Sequence, residues 1–255
     1  MTFTIKKRNN KMKIWAVIFW ILIWQLGSMW IGQEILLVSP VTVFLRLFQL
    51  IPTGDFWYSV WFSLLRIAGG FFLAVILGMI LVSFSVKFHW VEELIRPLLF
   101  TVKSIPVASF VILVLIWVPS RNLSVVISFL MVFPIIYTNV LEGEKQKDIK
   151  LMEMADVFSL PRLVRIRYID FPQIFPYFRT GCRLGLGLCW KAGVAAEVIG
   201  IPDHSIGEQL YQAKIYLNTP DLFAWTVVIV LLSVFFERFF LYVIDRIMAG
   251  LERMR

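Results

Sequence analysis

The chain of 255 residues is 59% apolar, with a mean hydropathy of +0.80 and a formal net charge of +8. Soluble domains contain about 45–50% apolar residues, so this composition excludes an ordinary water-soluble protein and indicates several membrane spans. The positive charge does not indicate a nucleic-acid-binding protein, because the aromatic residues lie within the apolar runs and not among surface Lys and Arg residues.

Six apolar runs have lengths that suit, or nearly suit, a bilayer core about 30 Å thick. They comprise residues 14–31, 63–84, 107–118, 123–141, 178–199 and 223–243. The third run is short, and Pro97 and Pro106 predict that it is the outer part of a kinked helix beginning near Glu92. The sequence therefore predicts one all-α polytopic membrane domain over residues 1–255, with the first helix followed by a core at 57–245.

The positions of the Lys and Arg residues predict how the chain is oriented. With a cytoplasmic N-terminus, seventeen of the 25 Lys and Arg residues fall in inner segments and only Arg46, Arg121 and Lys214 fall in outer segments. This asymmetry predicts that both termini are cytoplasmic. The basic run before the first helix resembles a secretory signal, but the apolar run is long and lacks a small-residue cleavage site. It predicts a retained signal-anchor helix in preference to a cleaved signal.

The sequence contains no group of residues that indicates catalysis or metal binding. Cys182 and Cys189 lie on one predicted span about 10.5 Å apart along the axis, too far for a disulfide. His89 and His204 stand apart from other ligand-type residues, and no phosphate-binding glycine loop or nucleophile motif is present. A membrane-embedded enzyme would need such a cluster. We therefore expect no catalytic residue, metal or cofactor, and we expect any transport to draw energy from an ion gradient or a partner.

The longest polar segment, residues 142–177, lies between the fourth and fifth predicted spans. Charges recur at every third position within 149–158, which predicts a short amphipathic helix with one charged stripe. Ser159 can cap a second helix, which is basic and has Pro161 in its first turn.

Pro172 and Pro176 predict the end of that basic helix and lead into the fifth span. Two interpretations of the segment stay open. It is either an amphipathic loop that rests on lipid headgroups, or a rigid segment that transmits force from a soluble partner to the membrane.

The same segment carries a family pattern. Glu153-Met154-Ala155, then Ser159, then Ile169-Asp170-Phe171-Pro172 resemble the EAA loop of ABC-importer permeases: E-A-A, three residues, G, about nine residues, then a hydrophobe, any residue, L-P. Met154 replaces the first Ala and Ser159 replaces the Gly. Because glycine readily adopts a left-handed conformation, the second replacement leaves the geometry of this turn open.

Three further motifs resemble the same family, in order along residues 37–245. They are Ser39-Pro40-x-x-Val43, Ser63-Leu64-x-Arg66-x-x-x-Gly70-Phe71, and Gly181-x-Arg183-x-Gly185 through Trp190-Lys191 to Ala195-Ala196-Glu197. The last run is similar to the branch of ABC-importer permeases that imports nitrate, sulfonates, taurine and related solutes.

This resemblance implies a type I ABC-importer permease with six transmembrane helices in the bacterial inner membrane. It implies a second permease copy, two ATP-binding-cassette ATPase subunits that bind ATP and magnesium, and an extracytoplasmic solute-binding protein. The implied solute is small and anionic, such as a sulfonate, nitrate or taurine, or is a thiamine-precursor pyrimidine. Within residues 149–160 and the following proline, the resemblance implies an ATPase-coupling role for Glu153, Met154, Ala155, Phe158, Ser159, Pro161 and Pro172.

In the fifth span, the small residues Gly181 and Gly185 predict that a neighbouring helix packs closely there. These glycines either pack statically or provide a sliding surface for alternating access. Arg179 and Arg183, near the cytoplasmic end, are expected to reach headgroups or the carboxylates of the preceding loop. The outer loop after the span predicts a helix at 207–217, which either faces the pore mouth or rests on the outer leaflet.

Four residues are candidates for the translocation pathway: Lys191, Glu197, Trp190 and Arg66. Lys191 lies near mid-membrane, where it either faces an anionic solute or is held by a backbone carbonyl or a carboxylate such as Glu237. The alternative function is a secondary transporter coupled to an ion gradient through Lys191 and Glu197. It predicts inverted repeats, which the sequence does not show.

Overall fold

A computed structural model describes residues 14–253, with side chains described to residue 250. The basic run before the predicted signal anchor lies outside these residues. Within them the chain forms eleven α-helices and one π-helical turn. The helices are α1 (Ile14–Ile31), α2 (Pro40–Leu50), α3 (Gly54–Lys87), α4 (His89–Ser104), α5 (Val107–Val114), α6 (Ser120–Lys145), α7 (Ile149–Val157), α8 (Arg162–Arg165), α9 (Phe171–Gly200), α10 (Ile206–Ile215) and α11 (Thr219–Arg253), and the π-helical turn is Ile166–Asp170.

Length and apolar composition mark four of these helices, α1, α3, α6 and α11, as membrane spans. The pair α4 and α5 is a fifth if it is counted as one broken span. Helix α9 has 30 residues, enough to cross, but its charged residues Arg179, Arg183, Lys191 and Glu197 make it too polar to qualify by composition. The helical membrane fold is as predicted, with four or five spans identified and the sixth still a prediction.

The predicted third span is broken more sharply than a kink. Helices α4 and α5 meet at an angle of 108° beside Pro106. At one end, Glu92 accepts a hydrogen bond of 2.6 Å from Lys145 at the end of α6. At the other end, a Cβ placed on Gly200 would lie 3.8 Å from Leu115. The broken pair therefore runs between opposite ends of the bundle, which we call inner and outer from the distribution of Lys and Arg.

Helix α2 was not predicted, although its signals are present in the sequence. Ser39 caps it by accepting a hydrogen bond from the Thr42 backbone N–H, and Pro40 occupies the first turn. Arg46 in α2 donates to both carboxylate oxygens of Asp221 at the start of α11. That hydrogen bond raises the pKa of Arg46, so the guanidinium stays charged and fixes α2 on α11.

The core of the bundle is the packing of α6 against α3 and α9. Glycines allow this close approach: a Cβ at Gly185 would lie 3.0 Å from Val132, and one at Gly193 would lie 2.6 Å from Ser128 Oγ. Gly181 likewise faces α6, with its Cβ position 3.1 Å from Asn139. These contacts show the predicted close packing, and the choice between static packing and a sliding surface stays open.

Candidate functional site

Ser159 ends helix α7 instead of capping the next helix. The Leu160 N–H donates to the Ala155 carbonyl and the Ser159 N–H donates to the Asp156 carbonyl, each at 3.0 Å. This is a Schellman motif, whose first residue after the helix cap adopts a left-handed conformation. Ser159 has φ +48° there. The predicted capping role was therefore wrong, and the glycine of the family pattern corresponds to this left-handed position.

The prolines after this turn do not end a helix either. Helix α8, the π-helical turn and α9 follow one another without a break from Arg162 to Gly200. Pro172 lies in the first turn of α9, where a missing N–H is tolerated, and Pro176 lies inside the helix. Just before Pro172, the Phe171 N–H donates to the carbonyl of Ile166, five residues earlier. The helix therefore has a wider, π-helical turn directly before the prolines.

Helix α7 and the start of α8 present apolar side chains outside the spans. We call this the α7 surface, and its residues are Ile149, Val157, Phe158 and Leu163, each at least 70% exposed. Glu153 and Met154 are also exposed. Ala155 is only 2% exposed, so it lies on the buried side of α7 and is not part of this surface.

Polar contacts join α7 and its flanks to the helix that continues into the membrane. Arg165 of α8 forms an ion pair with Asp156 of α7. Lys147 forms one of 3.1 Å with Asp170 in the π-helical turn. The Asp148 N–H donates to Gln173 Oε1 at 2.7 Å. Both ends of α7 are therefore tied to the continuous helical segment formed by α8, the π-helical turn and α9.

Lys191 on α9 is exposed and forms no hydrogen bond or ion pair within residues 14–250. Glu237, which was considered as its partner, lies 3.6 Å from Arg183 instead. Trp190 is buried against Phe236, with ring centroids 6.2 Å apart. Of these two neighbours, only Lys191 faces outward from the chain.

The two inner arginines of α9 pair with α11, so the expected pairing with the loop carboxylates was wrong. Arg179 donates to both oxygens of Asp245, at 2.7 and 2.9 Å. Helix α11 extends well beyond its predicted end and carries Asp245 back to this level. The pairing fixes the inner half of α9 against the last helix.

Glu197 is fully buried and joins three helices at the outer end. Ser63 of α3 donates to Glu197 Oε2 at 2.6 Å, and the Gly207 N–H of α10 donates to the same oxygen at 3.3 Å. Ser63 Oγ also accepts the Ile206 N–H at 2.9 Å. Ser63 and Glu197 belong to two different motifs of the family pattern. That pattern was the one signal in the sequence for this contact.

Arg66 lies farther into its helix than expected. Helix α3 begins at Gly54, so Arg66 is about 18 Å from the start of the helix. Its guanidinium donates to Asn122 Oδ1 at 2.9 Å. Lys191, on the outward face of α9, has no described contact with Arg66 or Glu197, so the pathway candidates do not form one cluster.

Comparisons with known proteins agree with the fold. Residues 70–249 match the family described as "Binding-protein-dependent transport system inner membrane component". The chain is 28% identical to a putative aliphatic sulfonates transport permease protein of Bacillus subtilis, over 82% of this chain and 76% of that protein.

Two other relatives are named for solutes other than sulfonates. The riboflavin transport system permease protein of Chloroflexus aurantiacus is 27% identical, over 78% of this chain and 75% of its own length. The formylaminopyrimidine transport permease protein of Halalkalibacterium halodurans is 25% identical, over 83% of this chain and 84% of its own length. With the family match covering most of the helical bundle, the chain belongs to the family of inner-membrane permease components of binding-protein-dependent transport systems.

Proposed function

We propose that this chain forms the translocation pore of an ATP-driven importer for a small anionic solute, and that a separate ATPase drives it through residues 149–160. Membership of the family implies a transporter complex with an ATPase and a binding protein. In the proposed assembly two copies of the permease domain, residues 1–255, pair in the inner membrane. Two ATPase subunits bind ATP and magnesium on the inner side, and the binding protein delivers solute on the outer side.

The observation that carries the coupling proposal is the α7 surface. Four large apolar side chains are solvent-exposed on the inner side of the bundle, in a segment that the spans do not bury. Exposed apolar patches of this kind mark interaction sites. The exposed carboxylate of Glu153 can flank such a contact, whereas Ala155, Ser159 and Pro161 shape the turn behind it.

The connection from α7 to α9 supports a mechanical role. The ion pairs of Asp156 and Asp170 with basic partners hold α7 on a helix that runs without interruption to Gly200. A displacement of α7 by an ATPase would therefore move α9 as a unit. Such movement reaches Lys191 and, at the far end, Glu197.

The position of Lys191 supports the proposal that the solute is anionic. Leu184 lies seven residues before it and is also exposed, so both are on one side of α9, which we call the Lys191 face. An unpaired charge within a span faces water or a partner chain in preference to lipid. Across a pore formed by two copies, this face would present a positive charge to the solute.

The coupling proposal is tested by substituting Phe158→Glu and measuring how much cognate ATPase co-purifies with the full chain from membranes. We expect the ATPase to be lost, together with ATP-dependent uptake in proteoliposomes. Tyr216→Glu is the control, because Tyr216 is comparably exposed at the outer end of α10. Undiminished co-purification of ATPase with Phe158→Glu would contradict the proposal, and gradient-driven uptake by this chain alone would favour the secondary transporter.

A further inference from the structure

An open cavity of about 640 Å³ lies between the outer half of α3 and the first turns of α6. Its lining combines aromatic rings with two guanidinium groups and contains no carboxylate. The residues that define it are Tyr58, Trp61, Phe62, Leu65, Arg66 and Arg121. We call it the outer cavity.

The two arginines of the outer cavity are not neutralised by direct contacts. Arg66 donates to the Asn122 amide oxygen and lies 4.2 Å over the Phe62 ring, and both of these partners are uncharged. Arg121 makes no hydrogen bond or ion pair within the described part of the chain. The carboxyl group of Glu197 also acts on Arg66, but it is fully buried and accepts a hydrogen bond from Ser63.

The lining of the cavity therefore carries two positive charges, whereas the carboxyl group of Glu197 is buried and does not line it. Two guanidinium groups near each other repel, and an anion between them removes that repulsion. Arginine also suits oxyanions, because its planar fork of N–H groups matches the oxygens of carboxylate, sulfonate or phosphate groups. The neighbouring rings of Tyr58 and Trp61 offer contact area for an organic group.

The size of the cavity agrees with a small ligand, since ligand pockets typically enclose about 300–1,000 Å³. We propose that the outer cavity is an anion-binding site, in which Arg66 and Arg121 hold the oxyanion group of a small organic solute while the aromatic rings contact the remainder. This inference rests on the proposed importer function and adds a specific site and ligand chemistry to it. The phosphate of a lipid headgroup has the same chemistry and is the other possible source.

The test uses a single cysteine in the cavity wall. Val125 lines the cavity, and the native Cys182 and Cys189 are fully buried, so they do not compete for reagent. The Val125→Cys chain, in phosphatidylcholine nanodiscs, is treated with 2-sulfonatoethyl methanethiosulfonate or with its trimethylammonium analogue. The thiolate forms a disulfide with either probe and releases methanesulfinate. The ratio of the two rates measures the local potential.

We expect the sulfonate probe to be favoured over the cationic probe. Adding Arg121→Gln or Arg66→Gln should lower the rate ratio about fivefold, as expected for removing one charge several ångströms from the thiol in a partly hydrated site. The control is Gly54→Cys at the start of α3, where a Cβ has no neighbour within 4 Å. Its ratio should not respond to Arg121→Gln. Leu65→Cys provides a second position in the same cavity if Val125→Cys does not fold.

Ethanesulfonate distinguishes the two sources of the anion. We expect millimolar ethanesulfonate to slow modification of Val125→Cys in phosphatidylcholine nanodiscs. Slowing only when phosphatidylglycerol is added, with no effect of ethanesulfonate, would overturn the solute site in favour of a lipid site. A rate ratio equal to that of the Gly54→Cys control would overturn the anion site altogether. Because the assay needs neither ATPase nor binding protein, its outcome is separate from a failure of ATP-driven uptake, which would contradict the proposed function alone.

Discussion

Ser159 holds a backbone conformation that an L-residue with a side chain adopts at a cost. Its φ of +48° closes the Schellman motif at the end of α7, a position where glycine is common. A left-handed conformation costs a non-glycine residue about 1–2 kcal/mol, part of which glycine loses again through its greater freedom in the unfolded chain. We expect Ser159→Gly to slow amide hydrogen exchange in α7 about two- to fivefold, equal to about 0.5–1 kcal/mol.

Val157→Gly is the matched control for this exchange measurement, because Val157 is the last residue of α7 and, like Ser159, is exposed to solvent. Glycine within a helix is unfavourable, so this variant should exchange faster than the parent chain. If Ser159→Gly also accelerated exchange, the left-handed serine would not be a source of strain.

Two adjacent glycines of α3 provide a second prediction at the residue scale. A Cβ on Gly70 would lie 2.8 Å from Ser128 Cβ and closer still to the Val125 carbonyl oxygen, which is backbone and cannot move aside. A Cβ on Gly69 would have no neighbour within 4 Å. We expect Gly70→Ala to destabilise the detergent-solubilised chain by about 1–3 kcal/mol in thermal unfolding, and Gly69→Ala to leave it unchanged or slightly more stable. Equal effects of the two variants would contradict the close packing of α3 on α6.

Residue-scale properties were predictable where a motif carried them and unpredictable where only packing decides. The glycine place in the family pattern identified Ser159 as a special position, but not its left-handed conformation or its role in ending α7. The same pattern could not separate Ala155, which is buried, from Glu153 and Met154, which are exposed. Neighbouring positions on a short helix differ in burial according to what lies behind them, and a sequence does not state that.

At the scale of elements, Ser63 links α3 to both α9 and α10. It donates to Glu197 and accepts the Ile206 N–H, the first N–H of α10. We expect Ser63→Ala to leave that N–H and the carboxylate without this partner, at a cost of about 1–3 kcal/mol. The measurement is proteolysis in the connection before α10, which should become faster.

The control for Ser63→Ala is Ser59→Ala. Ser59 is buried one turn earlier on α3 and makes no hydrogen bond to another helix within the described residues. Its substitution should leave cleavage unchanged. Equal cleavage of the Ser63→Ala variant and the parent chain would show that α10 does not depend on this serine.

The elements themselves were predictable to the extent that the bilayer imposes them. The apolar length of α1 gave its bounds directly, at Ile14 and Ile31. Helix α3 begins at Gly54, before its predicted start at residue 63, and the aromatic-rich residues 56–62 belong to the same continuous helix. The continuity from α8 through the π-helical turn to α9 was also missed, since proline usually indicates the end of a helix.

The arrangement of the whole molecule gives α9 contacts at both ends of the bundle. Its inner end is tied to α7 and to α11, through Gln173 and Arg179. Its outer end holds α10 through Glu197. The middle is packed on α6 on one side and bears the Lys191 face on the other. A shift of the inner contacts therefore has a direct structural route to the outer end and to this exposed face.

The charge of Lys191 provides the last prediction, because removing it does not disturb any described contact of the chain. With Lys191→Met, we expect ATP-dependent uptake of an anionic solute by the reconstituted complex to fall about tenfold, the effect of losing a charge-assisted hydrogen bond along the path. Assembly with the ATPase and ATP hydrolysis should persist, because the α7 surface is unchanged. Lys191→Arg should restore uptake in part, and Leu184→Met on the same face should have no effect. Unchanged uptake by Lys191→Met would remove Lys191 from the pathway, whereas loss of assembly would mean that its charge supports the contact between permease copies.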